Sequence, residues 1–288
     1  MFHSLEEIKQ KAISEKKPFW KVIIENDIEE RQVSLKDSFE TMRQMYAHMK
    51  HADEVYDKDL KSASGCVGGD GVKLHAYFQT EDNLSGAFMG KIMERAVKMG
   101  ESNACMKKIV AAPTAGSCGV IPAVFLSTQE RFKIPEDKMV EGLFVAAGIG
   151  EVIAHRASIS GAQGGCQAEI GSASSMAAGA LVYLRGGEVD AIIHASAIAM
   201  KSLLGLTCDP VAGLVEVPCV KRNVIGAVNA VTSADMALAG LRSFIPPDEV
   251  IDAMGEIGEL LPSSLKETSE AGLAVTPTAC SLCKKHLS

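Results

Sequence analysis

The sequence predicts an all-α fold, a bundle-like helical core whose functional loops are rich in glycine. Apolar residues recur at helical spacing over most of the chain, and the strict alternation typical of half-buried strands appears nowhere convincingly. Aromatic residues make up only 5% of the 288 residues, whereas Ala, Gly, Met and Leu are abundant. This composition suits close-packed helices better than a β-sandwich or a barrel, which use more Val, Thr and aromatic residues.

Residues 1–60 predict two or three polar, amphipathic helices. Ser4 and Ser34 are each followed by acidic residues in the first turn, as N-cap residues are, and then by apolar residues at helical spacing. Their charge density suggests an outer layer or a partner-facing arm. We therefore divide the chain into N-terminal helices at 1–60 and a catalytic domain at 61–288, with both parts forming one compact unit.

Beyond residue 60, apolar helical patterns alternate with glycine-rich breaks. Helices are predicted at 86–99, 138–160, 168–184, 188–205, 224–240 and 247–259, with a further apolar run at 120–126. The breaks lie at 62–71, 112–119, 161–165 and 207–223. The chain after Pro262 is predicted to be irregular. Because loops carry most functional residues, we expect these breaks to gather at one end of the bundle.

Charge and hydropathy exclude several classes of partner. A net charge of −7 and a pI near 5.6 disfavour nucleic acid, because phosphate binding needs a local excess of Lys and Arg. No stretch reaches the ~18 uncharged apolar residues of a membrane span, and the most apolar segment, 177–206, contains four charged residues. Residues 1–11 lack the apolar core of a secretory signal. We expect a cytoplasmic protein that binds neither membranes nor nucleic acid.

The chain has eight cysteines, at positions 66, 105, 118, 166, 208, 219, 280 and 283. A disulfide framework is disfavoured in a reducing compartment and in a chain of this size. Cys166 follows two glycines at the predicted start of a helix, where free N–H groups favour a thiolate. Cys208 and Cys219 lie eleven residues apart in one loop, each close to a proline. This spacing fits metal ligation by the three thiolates, and it also fits scattered buried thiols.

Four segments resemble motifs of the α subunit of iron–sulfur-dependent L-serine dehydratases. They are Ser62-Ala63-Ser64-Gly65, Pro113-Thr114-Ala115-Gly116-Ser117, Gly164-Gly165-Cys166-Gln167-Ala168-Glu169 and the long segment from Cys208-Asp209-Pro210 to Pro218-Cys219. The resemblance runs from about Lys61 to the C-terminus. It implies a 4Fe–4S cluster held by Cys166, Cys208 and Cys219, and no pyridoxal phosphate. It also implies L-serine ammonia-lyase activity, in which the open iron acts as a Lewis acid and water is eliminated from L-serine to give pyruvate and ammonia.

The resemblance also guides the choice of substrate-binding residues. A substrate carboxylate needs hydroxyl and N–H donors of the kind that a loop before a helix offers. We therefore expect substrate contacts from Ser62, Ser64, Gly65, Thr114, Ala115 and Gly116. Simple turns and helix caps are the alternative for both loops.

The general base is less clearly indicated. His75 follows the first glycine-rich loop and is the candidate within the chain, whereas His155 and His194 lie on apolar patterns typical of buried structural histidines. The family's serine run followed by His-Thr, which belongs to the β subunit, is missing from this sequence. The resemblance therefore implies one half of an α/β heterodimer whose β subunit supplies an essential base.

The other cysteines have separate expectations. Cys118 is expected to line the pocket or to be buried, and Cys66 and Cys105 are expected to be buried structural thiols. Cys280 and Cys283 follow Pro277 near the C-terminus, where chains are usually mobile. One of these two thiolates is a candidate for the open iron in the resting enzyme. A disordered tail with incidental thiols fits equally well.

Two other functions remain open at this stage. One is a pyridoxal-phosphate dehydratase with Lys61 as the Schiff-base lysine, which the absence of predicted parallel strands opposes. The other is a helical iron–sulfur scaffold or sensor without enzymatic activity. A cluster-loaded protein that, together with its partner, turns over no serine would favour the scaffold.

Overall fold

The computed structural model describes residues 1–80 and 82–286, with the side chains of 283–286 excepted. In this part of the chain the regular secondary structure is helical, and one isolated parallel bridge joins Cys208 and Lys266. The predicted all-α fold is confirmed. The helices are α1 (Leu5–Ser14), α2 (Phe19–Arg31), α3 (Leu35–Glu54), α4 (Asp70–Phe78), α5 (Gly86–Ala104), α6 (Val120–Phe132), α7 (Glu136–Arg156), α8 (Gly161–Gly164), α9 (Ser172–Leu184), α10 (Val189–Lys201), α11 (Cys219–Leu238), α12 (Pro247–Leu260) and α13 (Pro277–His286).

The two serine caps at the N-terminus form as predicted. The Ser4 hydroxyl accepts the N–H of Glu7 at 3.0 Å, and the Ser34 hydroxyl accepts that of Asp37 at 3.1 Å. Helices α1 to α3 share one hydrophobic core with the later helices, and α2 packs against α7. The division of the chain at residue 60 stays a prediction.

Helix α9 is the centre of the bundle. All thirteen of its residues are buried, and α6, α7, α10 and α11 pack around it. Its Ala, Ser and Gly side chains let these neighbours approach closely. A Cβ at Gly179 would lie only 2.3 Å from Cδ1 of Ile149. Because other helices pack around α9, the residues at its N-terminal end are held in a fixed position.

Several elements differ from prediction, and α5, which ends at Ala104 instead of residue 99, is one of them. Helix α11 begins at Cys219, five residues before the predicted start at 224, because Pro218 precedes it and proline suits a helix start. Helix α4 was not predicted, since only Gly71 of its nine residues is buried and the apolar stripe is weak. The region after Pro262 is not wholly irregular, because α13 follows two single helical turns.

The four glycine-rich breaks meet at one end of the bundle, as expected. A Cβ at Gly116 would touch the carboxylate of Glu169, and a Cβ at Gly161 would lie 3.3 Å from Sγ of Cys208. The remaining break, 62–71, is joined to the 207–223 loop by side-chain hydrogen bonds. None of the described helices is long and apolar enough to span a membrane.

Candidate active site

Three cysteines from two separate breaks converge at this end of the bundle. Cys166, Cys208 and Cys219 are all buried. The Sγ atoms of Cys166 and Cys208 and a carboxylate oxygen of Glu169 lie within 4.8 Å of one another. Burial, together with the nearby Cys166 charge, raises the pKa of Cys219 to about 12. Spacing alone left scattered thiols possible, and the tertiary structure brings the three together.

The negative charge of this group is centred on Cys166. A hydrogen bond from the Cys208 thiol lowers the pKa of Cys166 and, reciprocally, raises the pKa of Cys208. The guanidinium of Arg222 also lowers the pKa of Cys166, since Nη1 lies 3.2 Å from its Sγ. The ionised form of Cys166 is therefore favoured over that of the other two thiols, beside a fixed positive charge.

Arg222 connects the thiolate to the surrounding loops. Its Nη1 also donates to the carbonyl oxygen of Thr207 at 2.7 Å, and its Nη2 donates to Oδ1 of Asp209 at 2.9 Å. The other oxygen of Asp209 accepts the N–H of Leu273 at 2.8 Å. One chain of contacts therefore runs from Cys166 to the turn that precedes α13.

The backbone on either side of the thiols is fixed by local geometry. Gly165 has φ +75°, and a Cβ there would lie 2.9 Å from the carbonyl oxygen of Leu206, so glycine is required before Cys166. Cys208 donates its N–H to the carbonyl of Leu265 at 2.9 Å and accepts the N–H of Glu267 at 2.8 Å. These bonds hold the Cys208 loop without any regular strand.

The predicted substrate loop at 114–116 reaches the thiols through Glu169. Thr114 Oγ1 donates to Oε1 of Glu169 at 2.7 Å. The N–H groups of Ala115 and Gly116 make no hydrogen bond to any of the described residues. Two backbone donors on this loop are therefore available to an anion.

The other predicted substrate loop is engaged by a carboxylate of the chain itself. The hydroxyl of Ser62 donates to Oε2 of Glu216 at 2.8 Å, and Ser64 donates to the same oxygen. Glu216 is buried and lies three residues before Cys219. Gly65, at φ +74°, turns the loop back. The contacts of Ser62, Ser64 and Gly65 with substrate stay a prediction.

Glu101, on α5, supports a predicted functional loop and was missed by sequence reasoning. It is fully buried, and its carboxylate accepts the N–H groups of Gly68, Asp70 and Gly71 at 2.8–3.2 Å and the hydroxyl of Tyr56 at 2.5 Å. It therefore fixes the shape of the 62–71 break from beneath. No local sequence pattern indicated this role of Glu101, because its hydrogen-bond partners lie at least 30 residues away in sequence.

Asn223 was also missed, although its position carried a signal. It lies four residues after Cys219, on the same face of α11. Its Nδ2 donates to the carbonyls of Cys219 and Gly116 at 2.9 Å, and its Oδ1 accepts the N–H of Gly119 at 2.8 Å. A buried amide thereby joins the ligand helix to the predicted substrate loop.

The histidines lie away from the thiols. His75 is exposed, and its Nδ1 lies 3.2 Å from Oε1 of the buried Glu94. His155 was expected to be buried but is exposed, with its Nε2 2.6 Å from Nδ1 of His3. His194 is half-buried and accepts the N–H of Ser243. Among the histidines whose side chains are described, none contacts the three cysteines.

The remaining cysteines divide by exposure. Cys118 is buried as expected, and burial raises its pKa to about 12. Cys66 is exposed and Cys105 is half-buried, so the expectation that both are buried is wrong. Cys280 is exposed on α13, which packs against the turn at 211–213 inside the ligand loop. The side chain of Cys283 lies outside the described part of the structure.

Comparison with known proteins identifies the family. The family model for the serine dehydratase alpha chain matches residues 14–274. The chain is 48% identical to the probable L-serine dehydratase, alpha chain, of Bacillus subtilis over 92% of its own length and 88% of that protein. It is 55% identical to the corresponding Latilactobacillus sakei protein, over 67% of this chain and 93% of that one. It is 44% identical to the L-serine dehydratase TdcG of Escherichia coli, over 71% of this chain but 46% of that protein. The chain therefore belongs to the serine dehydratase alpha chain family.

Proposed function

We propose that this chain is the catalytic subunit of an L-serine ammonia-lyase, which eliminates water from L-serine to give pyruvate and ammonia. The observation that carries the proposal is the meeting of Cys166 and Cys208 with the Thr114 loop, through Glu169, with the buried Cys219 nearby. Three of the relatives bear the name L-serine dehydratase, alpha chain, two of them as probable, and others that match this chain are named L-serine dehydratase.

The donor set fits an iron–sulfur cluster. Three buried cysteine sulfurs are soft ligands of the kind that iron–sulfur clusters use, and Arg222 offsets part of their charge. Three ligands for a four-iron cluster would leave one iron without a cysteine. When bound, such a cluster would supply a Lewis acid that makes the substrate hydroxyl a better leaving group.

The residues of the chain would bind and orient the substrate. The free N–H groups of Ala115 and Gly116 would hold the serine carboxylate, while Asn223 keeps their loop in place. Ser62, Ser64 and Gly65 would border the same site. Tight packing around the cysteines would limit the access of water to the reacting hydroxyl.

Removal of the α-proton requires a base. The exposed position of His75 and its contact with Glu94 make it a poor candidate in this chain alone. We propose that a β subunit supplies this base. The name "alpha chain" of several relatives, and the part of the E. coli protein that this chain does not match, support that proposal.

The test is anaerobic purification with quantified iron and sulfide, followed by a pyruvate assay. The isolated chain should bind about four irons yet turn over serine poorly, and a β subunit should restore activity. An intact cluster with the partner present, but no turnover of serine, would favour a scaffold or sensor. Full activity of the isolated chain would place the base within it, and His75 would then be the first residue to replace.

A further inference from the structure

Three carboxylates near the cysteines, the buried Glu101 and Glu216 and the half-buried Glu169, differ in the number of hydrogen bonds that they accept. Glu101 accepts four hydrogen bonds and Glu216 accepts two. Glu169 accepts one, from Thr114 to Oε1, and its Oε2 accepts none from the described residues. No described Lys, Arg or His forms an ion pair with Glu169. Burial raises its pKa.

The surrounding backbone is shaped to keep this carboxylate in place. A Cβ at Gly116 or at Gly161 would lie 2.9 Å from an oxygen of Glu169. At Gly161 that Cβ would be 2.9 Å from Oε2 and 3.3 Å from Sγ of Cys208, so the unpaired oxygen lies on the side of the thiols. Two glycines therefore leave room for a half-buried carboxyl group that has no paired cation among the described residues, and its charged form is disfavoured unless a ligand brings a cation.

Arg222 contacts Cys166, but its hydrogen bonds go to Cys166, Thr207 and Asp209 and none goes to Glu169. An amino-acid substrate brings one cation of its own, the α-ammonium group. The N–H groups of Ala115 and Gly116, two residues from Thr114 at most, would hold the carboxylate of the same molecule.

We propose that Glu169 binds the α-ammonium group of the substrate and so selects amino acids over 2-hydroxy acids. The inference rests on the proposed function for the identity of the substrate, and it adds the residue that recognises its cationic group. A charged hydrogen bond between ammonium and carboxylate in a water-poor site is strong and directional.

The experiment compares two ligands that differ in this group alone. Glycine carries an ammonium group where glycolate carries a hydroxyl. Their dissociation constants are measured by calorimetry on the cluster-loaded chain with its β subunit, under anaerobic conditions. We expect Glu169→Gln to weaken glycine binding on the order of 30-fold, the loss typical of one partner of a buried charge pair, and to leave glycolate binding within about twofold. Glu169→Asp should keep a preference for glycine.

Glu151→Gln is the matched control. Glu151 is another partly buried carboxylate whose pKa is raised by burial, but it lies on α7, away from the cysteines. It should leave both dissociation constants unchanged. In kinetics, Glu169→Gln should raise the KM for L-serine more than it lowers kcat, with iron content unchanged.

Three results would overturn the inference. Equal affinity of the unaltered protein for glycine and glycolate would show that the ammonium group is not recognised. Loss of iron in Glu169→Gln would make Glu169 a ligand, and a fall in kcat with the glycine preference intact would make it a proton-transfer group. Failure of the unaltered enzyme to turn over serine would count against the proposed function alone, because the binding comparison needs no turnover.

Discussion

Arg222 donates a hydrogen bond to Sγ of Cys166 across 3.2 Å, and the same guanidinium is paired with Asp209 at 2.9 Å. A fixed positive charge therefore lies beside the Cys166 sulfur and favours its ionised form. Arg222 is three residues after Cys219 on α11, so the same helix carries a candidate ligand and the charge that stabilises it.

Replacing Arg222 should lower the affinity of the protein for iron. Arg222→Gln removes the charge beside Cys166, and the loss of a group that contacts a metal ligand typically costs roughly 10–100-fold in metal affinity. Arg222→Lys keeps the charge but loses the forked geometry, so its effect should be smaller. Release of iron to a chelator under anaerobic conditions measures both. Arg242→Gln, which breaks an ion pair with Asp190 at the surface, should release iron at the normal rate.

The ligand assignment is tested by single substitutions. Cys166→Ser, Cys208→Ser and Cys219→Ser should each lower bound iron and abolish activity, because a hydroxyl is a poor substitute for a soft thiolate. Cys118→Ser and Cys105→Ser should keep the cluster. Iron loss in Cys118→Ser with retention in Cys166→Ser would show that the wrong thiols have been chosen.

Asn223→Ala should damage both stability and catalysis. It removes the hydrogen bonds that the N–H of the buried Gly119 and the carbonyl of Gly116 make with Asn223, at a cost of about 1–3 kcal/mol in the free energy of unfolding. It also frees the substrate loop, so kcat/KM should fall at least tenfold. Asn229→Ala is the control, since Asn229 lies on the same helix but bonds to Ser174 and Ala199. Equal loss of kcat/KM in both variants would mean that Asn223 acts through stability alone.

The raised pKa of Glu151 predicts that the free energy of unfolding depends on pH. Burial raises the pKa of Glu151 from 4.5, so the folded state holds its proton more tightly than the unfolded chain. The carboxyl therefore stabilises the fold least once the pH has risen above its folded pKa. At pH 7 the Glu151→Gln variant should have a higher Tm than the unaltered protein. At pH 4 the Tm values of the two proteins should be more similar. A Tm difference that does not vary between pH 4 and pH 7 would contradict this assignment.

The C-terminal cysteines give the last prediction. Helix α13 packs on the ligand loop, and a cavity of about 410 Å³ between them is lined by residues that include Cys66 and Val217. We propose that Cys280 or Cys283 can occupy the open iron in the resting enzyme. Deleting residues 279–288 should then shorten any lag before serine turnover and increase the sensitivity to oxygen. An unchanged lag and unchanged air sensitivity would leave the tail without a role at the cluster.

Local patterns in the sequence determined much of the fold. The caps at Ser4 and Ser34, the apolar helices and the four breaks depend on neighbours within a few residues, and they formed as predicted. The family motifs also selected Cys166, Cys208 and Cys219 from the eight cysteines, and the structure buries all three and places Cys166 beside Cys208, while their role as ligands stays a prediction.

The tertiary structure alone decided the partners of the polar groups. Ser64 meets Glu216 across 152 positions, and Thr114 meets Glu169 across 55. Such contacts depend on how whole helices pack, and no pattern within one segment encodes them. The same holds for exposure, which separates Cys66 from Cys118 although both follow a short Ser/Gly segment. The sequence determines the chemical type of each side chain. Its pKa, its hydrogen-bond partner and its access to substrate depend on the distant segments that pack around it and exclude water.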